Sequence, residues 1–324
     1  MREITYAEAL KEALCEEMRK DKTVFLMGQD VQLMGGHGGG KVSLGMVKEF
    51  GEERIKDTPI SETAMVGGAV GAAIAGLRPI VDMGTADNMF VPMNEIVLTA
   101  AQMRYMSGGQ LSVPLVLRAS VGGYVRGGAE HSRIPIATFM HFPGLKIAFP
   151  STPYDAKGLL KSAIRENNAV LFFEHKLLFR EKGPVPENEY IIPLGKADIK
   201  REGNDVSVIA TSYMVKKSLE VASQLQKDGI SVEVIDLRSF PLDKKTILES
   251  VKKTGRAVVV DEDFKTVGVG AEIGMMIMEE AFGDLKKGVQ RVATKDMLLP
   301  MGSLEDHLLP NTQDIVQAIR KTME

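Results

Sequence analysis

Short runs of apolar, β-branched residues alternate along the chain with stretches whose apolar positions recur every three or four residues. Residues 24–27, 79–82, 113–118, 146–148 and 170–174 are apolar enough to be buried strands of a parallel sheet. Between them the spacing of Ala9, Leu10, Ala13 and Leu14 predicts a helix over 6–20. Further helices are expected over 62–75, 94–107 and 155–165, the last opening after Ser151-Thr-Pro with capping chemistry. Strand, helix and strand in succession imply crossover connections and an α/β fold. Residues 182–195 hold Gly183, Pro184, Pro186 and Pro193 among charged side chains, a composition in which neither a helix nor a central strand persists. The expected boundary falls there, giving domains over 1–188 and 189–324. In the second, strands are expected at 205–210, 231–237 and 256–261, and helices at 214–228, 243–254 and 270–282. Each domain thus reads as a mostly parallel sheet flanked by helices.

Composition narrows the chemistry. The 43 acidic and 40 basic side chains nearly balance, and there is neither a basic cluster nor a tryptophan, which argues against nucleic acid as a ligand. The single cysteine, Cys15, excludes a disulfide framework and a cysteine-rich metal site and fits a reducing compartment. The N-terminus lacks the apolar core of a signal peptide, so a cytoplasmic address is expected. The most apolar stretch, 66–77, is shorter than the roughly 20 residues a membrane span needs.

Several short motifs fail on inspection. Gly35-Gly-His-Gly-Gly-Gly-Lys41-Val42 approaches a phosphate-binding loop, but Val42 stands where a magnesium-holding hydroxyl belongs, which leaves a glycine loop over a surface or a pocket mouth. Gly268-Val-Gly-Ala-Glu-Ile-Gly274 has dinucleotide-fingerprint spacing, yet residues 262–267 separate it from the preceding strand, so it reads as a helix N-terminus packed closely on the sheet. The five histidines, His37, His131, His141, His175 and His307, show no zinc spacing, and no Gly-x-Ser-x-Gly elbow occurs. More informative is Asp57-Thr-Pro-Ile-Ser-Glu62, which leads into a helix with Gly or Ala at every third or fourth position. Each Gly costs about 1 kcal/mol of helix propensity, a cost that fits a face packed closely by another chain. By position alone, Glu62 in the first turn is a capping or dipole-favoured carboxylate.

Taken together, Asp57-Thr-Pro-Ile-Ser-Glu62, Met106-Ser-Gly-Gly109, Glu130-His-Ser132, His141-Phe-Pro-Gly-Leu-Lys146, Asp155-Ala-Lys-Gly-Leu-Leu-Lys-Ser-Ala-Ile-Arg165 and Asp236-Leu-Arg-Ser-Phe-Pro-Leu-Asp243 resemble one family. It is the beta subunit of the thiamine-diphosphate-dependent dehydrogenase of 2-oxo acid dehydrogenase complexes, and the likeness runs from about Thr5 to about Lys321. Ser151-Thr-Pro-Tyr-Asp-Ala-Lys157, Glu174-His-Lys-Leu-Leu178, Val185-Pro-Glu-Asn-Glu-Tyr190 and Arg126 look most like the acetoin dehydrogenase branch.

The resemblance implies a thiamine-diphosphate pyrimidine-binding fold followed by a transketolase C-terminal-like domain. It makes Glu62 the carboxylate that turns the cofactor's aminopyrimidine into a base, and His131 the histidine facing substrate and acyl acceptor. Asn88 stands beside the pyrimidine, where an aromatic is common. The positions matching a potassium site built of main-chain carbonyls are Leu115, Ala163, Ile164, Glu166 and Asn168. No Gly-Asp-Gly motif for Mg2+ and diphosphate occurs in the chain, so the resemblance assigns those ligands to an alpha subunit in an α2β2 assembly. It also implies docking to the subunit-binding domain of a lipoyl acyltransferase. Gln29, where glutamate is usual, and Glu130 and Arg133, where glutamines are frequent, depart from the pattern. The expected activity is cleavage of acetoin, or oxidative decarboxylation of a 2-oxo acid, with acyl transfer to lipoamide. The alternatives are a pyruvate or branched-chain 2-oxo acid dehydrogenase beta subunit and, in another class, a non-catalytic assembly subunit.

Overall fold

Thr5 and Glu8 start the first helix, Tyr6–Lys20, with a reciprocal cap. The Glu8 N–H donates to Thr5 Oγ1 at 3.2 Å while the Thr5 N–H donates to the Glu8 carboxylate at 2.7 Å. Helix Pro153–Arg165 begins in the same way: Thr152 Oγ1 accepts from the Asp155 N–H at 3.1 Å, and Pro153 sits where its missing N–H costs nothing. The computed structural model describes residues 1–36 and 40–324; His37, Gly38 and Gly39, and with them the centre of the glycine run, lie outside the described residues.

The chain packs as two units, one formed by Met1–Gly122 with Phe139–Leu194 and the other by Gly123–Thr138 with Gly195–Glu324. The sequence places the boundary at 188/189; the packing leaves the first unit at Leu194. Segment Gly123–Thr138, internal to what reads as the first domain, belongs to the second unit. Its partners come from far along the chain, the Gly123 N–H donating to a carboxylate 139 positions away, and no local pattern signals such a contact.

In the first unit, parallel strands run in the order Lys146–Ala148, Val170–His175, Val116–Val121, Arg78–Thr85, Val24–Gly28 and Ile55–Asp57. The central strands are buried along their whole length, as near-continuous apolar runs require. The helix expected over 94–107 winds differently: Asn94–Ala100 is a π-helix, with the Ala101 N–H reaching the Ile96 carbonyl at 3.0 Å, and only Met103–Met106 is α-helical. The apolar period fits either winding, so sequence could not separate them. Arg2–Thr5 and Lys182–Val185 pair antiparallel as a ribbon, which tolerates Pro184 because a ribbon has free edges.

Helices Tyr6–Lys20 and Pro153–Arg165 meet along a charged seam. Lys157 and Lys161 are fully buried there, with Nζ of Lys157 2.6 Å and Nζ of Lys161 2.7 Å from the two oxygens of Glu16. Arg165 binds Glu17 through both of its carboxylate oxygens, at 2.6 and 2.8 Å. Burial works against the Glu16 carboxylate, but hydrogen bonds from the two lysines more than offset it and hold its pKa below the usual range.

The second unit is a five-stranded sheet in the order Gln290–Thr294, Ala257–Phe264, Val206–Ala210, Val232–Asp236 and Asp198–Arg201, parallel except for the last strand. Helices Tyr213–Leu225 and Thr312–Met323 bury Val215, Val221, Leu225, Ile315 and Ile319 against Val208, Val234 and Val260. Strand Ala257–Phe264 runs three residues beyond the expected 261. Helix Val269–Ala281 then starts at Gly268, where a Cβ would lie 2.2 Å from the Phe264 carbonyl oxygen. Gly268 is thus required by the turn that leaves the strand, whereas a Cβ at Gly270 or Gly274 would make only ordinary contacts, 3.4 Å from Val259 and 3.9 Å from Val289.

Candidate active site

Strand Val24–Gly28 has Ile55–Asp57 on one side and Arg78–Thr85 on the other, so the order of the first sheet reverses there. Beyond the carboxyl ends of parallel strands at such a reversal lies the usual ligand crevice of an α/β sheet. The segments leaving this edge carry Gln29 and Asp30, then 58–62, then the turn Ala86–Phe90. Glu62 is the first residue of helix Glu62–Ile74 and is half-buried. Ser61 makes no capping bond, and among the described residues no group hydrogen-bonds or ion-pairs with the Glu62 carboxylate. The capping role available to it is therefore not used. Two buried hydroxyls on the same edge, Thr58 Oγ1 and Thr85 Oγ1, also lack a partner. Asn88 is half-buried on the Ala86–Phe90 turn, its amide donating to the Met83 carbonyl at 3.1 Å.

On the same helix, Ala64, Gly68, Gly71 and Ala75 form an exposed stripe. A Cβ added at Gly68 or Gly71 would meet nothing within 4 Å, so nothing in this chain offsets the helix-propensity cost of these glycines.

The described ends of the glycine run cover a buried ion cluster. Arg118, 2% exposed, binds Glu174 through both carboxylate oxygens at 2.7 and 2.9 Å and lies 3.6 Å from Asp82. Gly36 sits against Asp82 so closely that a Cβ would come within 2.4 Å of its carboxylate, and Gly40 meets the Phe179 ring in the same way. The glycines make room for protein side chains. Sequence inspection missed this cluster because its three members lie on three different strands.

His131 lies in the second unit, exposed, on a loop with unusual backbone. Tyr124 and Arg126 have φ of 62° and 60°, left-handed values rare for residues other than glycine and costing about 1–3 kcal/mol each. The surroundings hold these conformations. The Gly123 N–H donates to Glu262 at 2.7 Å, the Tyr124 hydroxyl donates to the Pro310 carbonyl at 2.6 Å, and Lys217 Nζ lies 3.8 Å from the centre of the Tyr124 ring. Glu130 is exposed and Arg133 half-buried beside the His131-Ser132 pair.

Near this loop the carboxyl end of strand Ala257–Phe264 carries two carboxyls raised by burial, Asp261 to about 6 and Asp263 to about 7, with Asp261 adding its repulsion to Asp263. Asp263 accepts from the N–H groups of Phe264 and Ala137, so it fastens the far end of the His131 segment. Both carboxyls hold protons at higher pH when folded than when unfolded. The stability they contribute is whole below about pH 4 and is lost as pH rises through their folded values. Asp263→Asn should therefore gain stability relative to the parent between pH 4 and pH 7, as read by urea midpoints at each pH; a pH-independent difference would contradict this reading.

The five carbonyls matched to a potassium site are largely engaged. Leu115 accepts from the Val170 N–H at 2.8 Å and Ala163 from the Glu166 N–H at 3.2 Å, while Ile164 and Glu166 both accept from Arg78 Nη1, at 2.9 and 3.0 Å. The Arg78 guanidinium of this chain thus brings a positive charge to two of these oxygens, those of Ile164 and Glu166. Among the described residues no group of three or more His, Cys, Asp and Glu could hold a metal ion, and no helix is long and apolar enough to cross a membrane.

The transketolase pyrimidine-binding domain model matches residues 2–182, and the transketolase C-terminal domain model matches residues 195–315. The chain is 43% identical to the 2-oxoisovalerate dehydrogenase subunit beta of Bacillus subtilis, over 99% of each chain. It is also 43% identical to the acetoin:2,6-dichlorophenolindophenol oxidoreductase subunit beta of Cupriavidus necator, over 100% of this chain and 98% of the relative. The chain belongs to the beta-subunit family of thiamine-diphosphate-dependent 2-oxo acid dehydrogenases. Another member, the pyruvate dehydrogenase E1 component subunit beta of Rickettsia felis, is 44% identical over 98% of each chain, so identity favours no single substrate. A solved split-gene transketolase, an inactive beta4 tetramer, superposes with a TM-score of 0.80 over 99% of this chain and 98% of that one at 22% identity, which establishes the shared fold.

For a beta subunit of this family the cofactor test is chemical. A carboxylate and two hydroxyls on segments leaving one sheet reversal, each without a partner among the described residues, suit a nitrogen-rich pyrimidine ring.

Proposed function

We propose that this chain is the beta half of a thiamine-diphosphate-dependent dehydrogenase that cleaves acetoin, or oxidatively decarboxylates a 2-oxo acid, and passes the acyl unit to lipoamide. The observation that carries the reading is the Glu62 carboxylate, held on a helix terminus at the sheet reversal with no hydrogen-bond partner among the described residues. When bound, thiamine diphosphate supplies the carbon nucleophile and the electron sink. Glu62 would hold the pyrimidine through a ring nitrogen and stabilise the proton there, which makes the neighbouring amino group basic. Asn88 would border the same ring, and His131 would donate or accept a proton near the substrate and the acyl acceptor.

An alpha chain completes the account. It would bring Mg2+ and the diphosphate ligands, and an α2β2 assembly would cover the bare Ala64-Gly68-Gly71-Ala75 stripe. The C-terminal domain would dock the subunit-binding domain of a lipoyl acyltransferase. The acetoin reading rests on the motifs around Ser151, Glu174, Val185 and Arg126. A pyruvate or branched-chain 2-oxo acid reading stands beside it, because relatives named for 2-oxoisovalerate, acetoin and pyruvate all lie at 43–44% identity.

The test is co-expression with a candidate alpha chain, loading with thiamine diphosphate and Mg2+, and reduction of an artificial acceptor with acetoin, pyruvate and branched 2-oxo acids side by side. Turnover confined to acetoin is the expected result. Preference for a 2-oxo acid would replace the substrate and keep the mechanism, whereas no turnover in an assembled, loaded complex would favour a non-catalytic assembly subunit.

A further inference from the structure

The 3-10 segment Gly302–His307 and its flanks grip the His131 loop from one end to the other. Met301 bridges to Gly127, and Asp306 lies 3.6 Å from the exposed Arg126 guanidinium. Glu305 sits at the centre of this grip and is completely buried. One of its carboxylate oxygens accepts the Arg126 N–H at 2.9 Å and the other accepts the Ser132 hydroxyl at 3.4 Å. Among the described residues no cation pairs with it, so this buried charge is satisfied by neutral donors of the loop it holds. The two contacts fall on opposite sides of His131, five residues before it and one after. Between them the chain folds back, with the His131 N–H donating to the Gly128 carbonyl at 3.3 Å, and the imidazole is left on the exposed side.

We propose that Glu305 is a positioning residue for His131: its carboxylate fixes the two ends of the loop, through the Arg126 amide and the Ser132 hydroxyl, and thereby fixes where the imidazole stands. The proposal rests on the reading of His131 given above. A carboxylate is suited to this task because charge-assisted hydrogen bonds are shorter and stronger than neutral ones. It also holds Arg126 in a left-handed conformation that would otherwise relax. Misplacing a reacting group by about 1 Å can cost about a hundredfold in rate, so a loose loop would be felt in turnover more than in substrate binding.

Glutamine at 305 can still accept from the Arg126 amide and donate to the Ser132 oxygen, whereas alanine can do neither. In the assembled complex, Glu305→Ala should lower kcat by about tenfold or more with KM within about twofold, and Glu305→Gln should restore most of it. In a His131→Ala background Glu305→Ala should cost nothing further, because coupled positions are non-additive. Independently of activity, the Arg126 amide should exchange with deuterium at least about tenfold faster in Glu305→Ala than in the parent. Ser132→Ala, a smaller change, should show the same dependence on His131 if Glu305→Ala does not assemble. Equal losses from Glu305→Ala with and without His131 would overturn the positioning role while leaving His131 in place. A His131→Ala complex of full activity would overturn both.

Discussion

Replacing Glu62 with alanine in the assembled, cofactor-loaded complex is expected to lower turnover by about 10²- to 10⁴-fold while the complex stays intact. Both halves of the expectation follow from the environment of the residue. The carboxylate is half-buried and bonded to none of the described residues, and its helix is capped by neither Ser61 nor Glu62. Removing it forfeits only a helix-dipole interaction of about 0.3–1 kcal/mol, part of which alanine returns through its higher helix propensity. Glu62→Gln should fail nearly as badly as Glu62→Ala, because an amide keeps the size but cannot stabilise a proton on the ring nitrogen. The measurement is acceptor reduction at saturating substrate, with gel filtration and a melting curve on the same sample. Activity within about tenfold of the parent, below the range general acid–base groups contribute, would remove Glu62 from its assigned role.

The second large effect lies inside the first sheet. Arg118 sets its one positive charge between Asp82 and Glu174, two carboxylates brought from neighbouring strands into the buried interior. Burial pushes the Glu174 carboxyl upward, the Arg118 guanidinium opposes it, and Asp82 adds repulsion, so the upward shift persists. Arg118→Met leaves two buried acids facing each other without a counter-charge. Breaking a buried pair in this way costs about 3–5 kcal/mol, to be read from the urea midpoint. Arg118→Met combined with Glu174→Leu and Asp82→Asn, which removes both acids together with their counter-charge, should recover most of the loss, since buried ionic groups and uncharged substitutes of similar volume are often equivalent. A single-variant loss under about 1 kcal/mol, the range of exposed pairs, would show that the cluster is hydrated.

How much of this was legible depended on the range of the interactions. The parallel strands announced themselves because both faces are buried and every position must be apolar, as in Val116–Val121 and Val170–His175. Helix starts were legible where the cap is local, at Thr5 and Thr152. The edge strands Asp198–Arg201 and Gln290–Thr294 escaped because an edge needs few apolar residues. Nothing in the helix Pro153–Arg165 itself marks Lys157 and Lys161 as buried, and only the facing acids of helix Tyr6–Lys20 explain their burial. In the candidate site, local pattern made Glu62 a cap, and only the longer motif pointed elsewhere. The open carboxylate found in the structure removes the capping alternative. Glu262, Asp263 and Glu305 were invisible as supports of the His131 loop because each acts on backbone groups far away in sequence, where residue type leaves no trace.

The central claim is that this chain carries the pyrimidine half of a cofactor site and needs a second chain for the diphosphate half. The most direct measurement is a calorimetric titration of thiamine diphosphate with Mg2+ into this chain alone, into the candidate alpha chain alone and into the reconstituted complex. The account predicts saturable binding by the complex at concentrations where neither isolated chain binds, and weakened binding when the complex carries Glu62→Ala. Equal affinity of this chain alone and of the complex would contradict it.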